Sequence, residues 1–239
     1  MNPAARQAYL QALGLETWVP RSAVPAPATV TPQVAPAAAP RGPLGPHAVP
    51  PPAASSEWAD LRARVAACVR CSLATTRTQT VFGVGNPAAD WMIIGEAPGA
   101  EEDRQGEPFV GRAGQLLNAM LHAIGLTSTE VFIANVLKCR PPGNRDPAGP
   151  EVVQCLPYLE AQIALVKPKI LLVVGRIAAH SLLKTDAPLG TLRRRVHAFG
   201  PSRIPLVVTY HPAYLLRTPV DKRKAWEDLR QAREVLARV

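Results

Sequence analysis

Apolar and polar positions follow two alternating patterns along this chain. Mostly apolar runs occur at 91–94, 131–136, 170–174 and 206–210, the second and fourth holding one polar residue each, Asn135 and Thr209, near their ends. Runs this short, closed by a glycine or a polar residue, predict strands buried in a sheet. Between them, apolar residues recur every three or four positions. Leu116, Leu117, Met120, Leu121 and Ile124 share one face of a helix starting near Arg112. Trp58, Leu61 and Val65 do the same over 58–68, and further helices are predicted over 151–166, 176–183 and 222–237. Pro157 marks a kink in the first of these, or its true start. Residues 190–199 predict a strand or hairpin arm. The alternation gives an α/β fold of three layers: a mainly parallel four-stranded sheet with helices on both faces.

The pattern also sets domain boundaries. Residues 1–19 form a short arm, with a helix predicted over 3–13. From 20 to 56 the chain is dominated by Pro and Ala, which bury too little surface to fold, so it reads as an extended tether. The folded domain spans 57–239.

Charge narrows the partner. Lys and Arg number 27 against 18 Asp and Glu, a formal net charge of +9. A strongly basic chain points to a polyanion, nucleic acid before membrane. No apolar run approaches the length of a membrane span, and the first residues lack the apolar stretch of a secretory leader. The expected compartment is the reducing cytoplasm. There, four cysteines suggest a metal site or buried thiols. Cys68 and Cys71 have ligand spacing; Cys139 and Cys155 follow at a loop start and near a helix start. Four thiolates suit either zinc or an iron–sulfur cluster.

The candidate chemistry gathers at strand ends. The first strand runs into Gly95, Glu96, Ala97, Pro98 and Gly99, then the acidic Glu101, Glu102 and Asp103, then Phe109. In an open α/β sheet such a loop lies outside the carboxyl end of a strand, where ligands bind. The second strand delivers Asn135 and the fourth ends at His211. Singly, Asn135 fits a strand cap and His211 a satisfied buried histidine. In parallel strands, Glu96, Asn135 and His211 share one rim, which is a pocket. The loop lacks the Lys and Ser/Thr of a phosphate-binding P-loop, which counts against a nucleotide-binding protein. A catalytically silent DNA-binding module with structural zinc is the other alternative.

GEAPG at 95–99, PFVGRAGQLL at 108–117, ANVLKCRPPGNRDP at 134–147 and HPAYLL at 211–216, taken with the four cysteines, resemble the iron–sulfur (type 4) uracil-DNA glycosylases over roughly residues 64–239. The resemblance implies a [4Fe–4S] cluster on Cys68, Cys71, Cys139 and Cys155. It also implies hydrolysis of the N-glycosidic bond of deoxyuridine in DNA during base excision repair, releasing uracil and leaving an abasic site. A related family forms a covalent product bond through a histidine on an inserted loop before the fourth cysteine. This chain has no such insert, and reads as an ordinary hydrolase.

The same resemblance implies the site. Gly95, Ala97 and Pro98 form the pocket loop, and an extruded uracil stacks on Phe109. The Asn135 amide accepts from N3–H and donates to O4, while His211 stabilises charge developing at O2. Glu96 orients or activates water. The better-known uracil-DNA glycosylases carry an aspartate where Ala97 stands, so water is not held in that way here. Glu102 lines the pocket near C5 and excludes the thymine methyl. Leu215 is the expected wedge into the vacated stack, against core packing as the alternative, and Arg217 a phosphate contact. Arg193, Arg194 and Arg195 form a phosphate stripe or a solvated strand edge. The partner is uracil-containing DNA, bound by a monomer, with the N-terminal arm left to dock a protein.

Overall fold

The computed structural model describes residues 56–238; the readings made for the 1–19 arm and nearly all of the 20–56 tether lie outside the described residues. Six strands form one sheet: β1 (Val84–Gly85), β2 (Trp91–Gly95), β3 (Val131–Asn135), β4 (Ile170–Val174), β5 (Val196–Phe199) and β6 (Ile204–Thr209), in the order β1-β3-β2-β4-β6-β5. The four strands expected from sequence make the parallel centre, β3-β2-β4-β6. Short antiparallel strands close both edges, β1 on β3 and β5 on β6. No described helix is long and apolar enough to cross a membrane.

Every residue of β2, β3 and β4 is buried, as strands covered on both faces must be. Successive side chains point to opposite faces, so each strand feeds two cores. Met92, Ile94, Phe132, Ala134, Leu171, Val173, Leu206 and Val208 pack with α1 (Ser56–Ala66), α4 (Gly149–Val166), α5 (Arg176–Leu183) and the short α6 (Leu189–Leu192). Trp91, Ile93, Val131, Ile133, Ile170, Leu172, Val174 and Val207 pack with α3 (Arg112–Ala123), α7 (Pro212–Arg217) and α8 (Lys222–Leu236). These are the three expected layers.

The differences are local. Residues 100–105, expected as loop, form the short helix α2 (Ala100–Gln105), and 212–217 form α7. Helices of six residues have too few turns to show a period. Residues 190–199 split into α6 and β5, because the exposed edge strand alternates rather than running apolar. The helix α4 runs through Pro157.

Among the described residues one ion pair has both partners buried. Arg193 is 4% exposed, and its guanidinium donates to both oxygens of buried Asp228, at 2.7 and 2.9 Å. Thr209 at the end of β6 donates to the same carboxylate at 2.8 Å, and Arg193 also covers the Tyr210 ring at 4.3 Å. Arg193 is therefore excluded from the expected phosphate stripe; Arg194 and Arg195 remain exposed. Replacing Asp228 by Ala strands a buried guanidinium, a loss of about 3–5 kcal/mol. In a domain of this size the expected fall in thermal midpoint is about 10 °C, read by circular dichroism.

Candidate active site

The parallel register decides which residues meet. Gly95 pairs with Asn135 across β2 and β3, and Val174 with Thr209 across β4 and β6. All four strands thus end at one rim, and the loops leaving it carry Glu96 and His211. Beyond the strands, the amides of Val136 and Leu137 donate to the carbonyls of Gly95 and Glu96, at 2.9 and 3.0 Å. The two loops leave the sheet locked together.

Asn135 is 2% exposed, and its Oδ1 is the single buried side-chain oxygen or nitrogen among the described residues without a hydrogen-bond partner. An unpaired buried acceptor costs about 1–3 kcal/mol. Such a cost persists where an incoming donor removes it.

Phe109 closes the space beside Asn135. A Cβ on Gly95 would collide with Asn135 Oδ1 and approach Phe109 Cζ to 2.6 Å, so only glycine permits this packing. Phe109 itself adopts a left-handed backbone, φ 57°, which is strained for an aromatic residue. Behind it, any Cβ on Gly114 would strike the Phe109 carbonyl. The Phe109 ring stacks against His211, with centroids 5.7 Å apart and planes 29° apart.

The acidic run is the frame of this loop. Glu102 Oε1 accepts from the amides of Val110 and Gly111, at 3.1 and 3.3 Å, and Oε2 accepts from Gly99 at 3.1 Å. Both oxygens are occupied in holding the two ends of the loop, a bracing role that sequence reasoning did not assign to Glu102. Asp103 is buried and receives the Thr78 amide at 3.0 Å. Only Glu101 is solvated, paired with Arg104. Sequence reasoning passed over Asp103, because nothing in an acidic triplet says which member faces inward.

His211 is the residue before α7. Its Nδ1 accepts from the Ala213 amide at 3.1 Å, so the neutral ring carries its proton on Nε2. Burial, helped by the Arg217 charge and opposed by Glu102, lowers its pKa to about 4. The half-buried Glu96 shifts the other way. Burial and the nearby Asp146 carboxylate raise it to about 7, against the pull of Arg176. Asp146 and Arg176 pair with each other at 2.9 Å, joining the loop after β3 to the start of α5. Neither was singled out from sequence.

On the helix after His211, Leu215 is 0% exposed and packs in the core with α3 and α8. This removes it as the expected wedge: its face of α7 is the one that seats the helix. Arg217 is exposed at the end of α7. Tyr214 stacks on Tyr210 at 5.0 Å and donates to Asp221 at 2.6 Å, a brace for α7. Pro98 is buried, and Ala97 packs against the core on the α4 side.

The four cysteines come together behind the pocket. Cys68, Cys71, Cys139 and Cys155 line one recess, with Arg70, Arg77 and Tyr158. Arg77 donates to Cys139 Sγ at 3.1 Å and the Lys138 amide to Cys155 Sγ at 3.2 Å. Burial raises both thiols, Cys155 to about 11. Among the described residues no three His, Cys, Asp or Glu side chains converge on a single metal ion.

Residues 82–230, a span that contains the whole rim, match the Uracil DNA glycosylase superfamily. The chain is 39% identical over 183 residues to the type-4 uracil-DNA glycosylase of Archaeoglobus fulgidus, covering 74% of this chain and 92% of that protein. It is 42% identical over 168 residues to the type-4 uracil-DNA glycosylase of Pyrobaculum aerophilum, covering 68% and 86%. Against the type-5 uracil-DNA glycosylase of the same organism identity falls to 26% over 183 residues. The matched span includes all the strands and loops of the rim, and the chain belongs to the uracil DNA glycosylase superfamily, among its type-4 members.

Proposed function

We propose a division of labour among the rim residues for uracil excision. As a type-4 uracil-DNA glycosylase the protein hydrolyses the bond between uracil and deoxyribose in DNA, freeing the base and leaving an abasic site. The observation that carries the residue assignments is the unpaired, buried Oδ1 of Asn135 beside Phe109 and His211.

A glycosylase reaches its bond by extruding the nucleotide. The uracil then lies against Phe109. Asn135 Oδ1 accepts from N3–H, and its amide nitrogen donates to O4. Cytosine presents the reverse pair and leaves both groups unmatched. As the C1′–N1 bond breaks, the electron pair goes to the base, and negative charge builds at O2. His211 Nε2–H donates there. A ring with a pKa of about 4 is neutral at pH 7, so it stabilises the uracil anion without transferring a proton.

Glu96 serves the sugar side. Its carboxylate stabilises the cationic deoxyribose and accepts a proton from the water whose oxygen bonds to C1′. Exposed Arg217, with Arg194 and Arg195, holds phosphates of the DNA; basic contacts of this kind bind without reading sequence.

Cys68, Cys71, Cys139 and Cys155 are the ligands of a [4Fe–4S] cluster, supported by four thiols on one recess with cationic Arg70 and Arg77 beside them. Four thiolates suit tetrahedral zinc as well, and the reading as a cluster rests on the resemblance to the iron–sulfur type-4 glycosylases. When bound, the group supplies a covalent cross-link between 68–71, the segment after Asn135 and helix α4.

Three outcomes are expected. Protein purified without oxygen is brown, absorbing broadly at about 400 nm; colourless, active protein with stoichiometric zinc refutes the cluster. Cluster-loaded enzyme releases free uracil from an oligonucleotide bearing one uracil, and Asn135→Asp lowers the single-turnover rate by at least about 10²-fold, since a carboxylate opposes O4 in a desolvated pocket. Near-normal rates in that variant return Asn135 to strand capping. Because the Glu96 pKa is raised to about 7 and the ionised form is active, the rate rises with pH through that value. His211 contributes no second limb above pH 5, being neutral there already. In Glu96→Gln the rate falls and the limb disappears; a limb that survives assigns it to another group.

A further inference from the structure

Lys138 is 1% exposed, yet none of its side-chain hydrogen bonds goes to a carboxylate. Its Nζ donates to the Asn135 carbonyl at 2.8 Å and to Gln162 Oε1 at 2.6 Å. Gln162, also fully buried, passes the chain on, its Nε2 donating to the Phe82 carbonyl at 2.9 Å. A buried ammonium is expensive, and an apolar side chain of the same length fills such a space at lower cost. Packing alone does not account for a lysine here.

We propose that Lys138 is a positioning residue for base recognition, holding Asn135 in register through the buried chain Phe82–Gln162–Lys138–Asn135. The inference rests on Asn135 as the residue that reads the base. Asn135 Oδ1 has no protein hydrogen-bond partner, so no hydrogen bond at that atom fixes the side chain. Its placement comes from the backbone that carries it. That backbone is pinned on one side by β2 and on the other by the Lys138 ammonium at its carbonyl. Lys138 is itself anchored: its amide donates to Cys155 Sγ at 3.2 Å, and its carbonyl accepts from Val81 at 2.7 Å. One residue therefore joins the cysteine recess to the base-reading strand end. Misplacing a reading group by about 1 Å costs on the order of 10²-fold in rate.

The test is a double-mutant cycle in single-turnover uracil excision, run on folded, cluster-loaded protein. Lys138→Met is expected to lower the rate at least about tenfold in the wild-type background and less than about twofold in Asn135→Ala, because its effect passes through Asn135. An equal loss in both backgrounds overturns the proposal and makes Lys138 a general support of the fold. A wild-type rate in Asn135→Ala overturns the reading of Asn135, and Lys138 with it. Should Lys138→Met fail to fold or load its cluster, Gln162→Met, which removes the far anchor and leaves the lysine, completes the same cycle with the same outcomes.

Discussion

The site depends on how closely two parallel strands and one loop approach at their carboxyl ends. Gly95 stands opposite Asn135 in the register and under the edge of Phe109. A single methyl group there would fill the space that the amide and the ring share. The left-handed backbone of Phe109 and the bare Cα of Gly114 behind it belong to the same constraint. Strain of this kind persists only where surrounding contacts over-determine it. Here the surrounding contact is Glu102, whose two oxygens hold the amides at both ends of the loop. Glu102, out of the acidic run, is thus part of the pocket's frame.

Burial then separates the two titratable groups of the rim. It disfavours charge on each, so the carboxyl of Glu96 moves up and the imidazole of His211 moves down. The results are a carboxylate poised near neutrality and a ring that stays a neutral donor. The nearby Asp146–Arg176 pair adjusts the first and leaves the second alone.

Sequence and structure divide the explanation by range. Four mostly apolar runs located the four central strands, since a strand buried on both faces shows no polar alternation and carries polar residues only at its end, as Asn135 and Thr209 do. The edge strands escaped because β1 is two residues long and β5 is half exposed. Leu215 and Arg193 show the limit most clearly. An apolar residue and an arginine following plausible contact motifs both read as surface groups, yet one seats α7 and the other pairs with Asp228, 35 residues on. Inward or outward orientation on a six-residue helix or a turn is set by distant partners, which no local pattern records.

What the sequence determined by itself was the fold class, the rim and the types of residue upon it. Apolar period and strand–loop order are local properties, and a parallel sheet turns them into a shared edge. Only the tertiary structure decided that Asn135 lacks a partner, that His211 holds its proton on Nε2, that Glu102 is a brace, and that four cysteines up to 87 residues apart line one recess. Each of these is a relation between groups brought together by packing, and desolvation at the rim exists only once both helical layers have closed on the sheet.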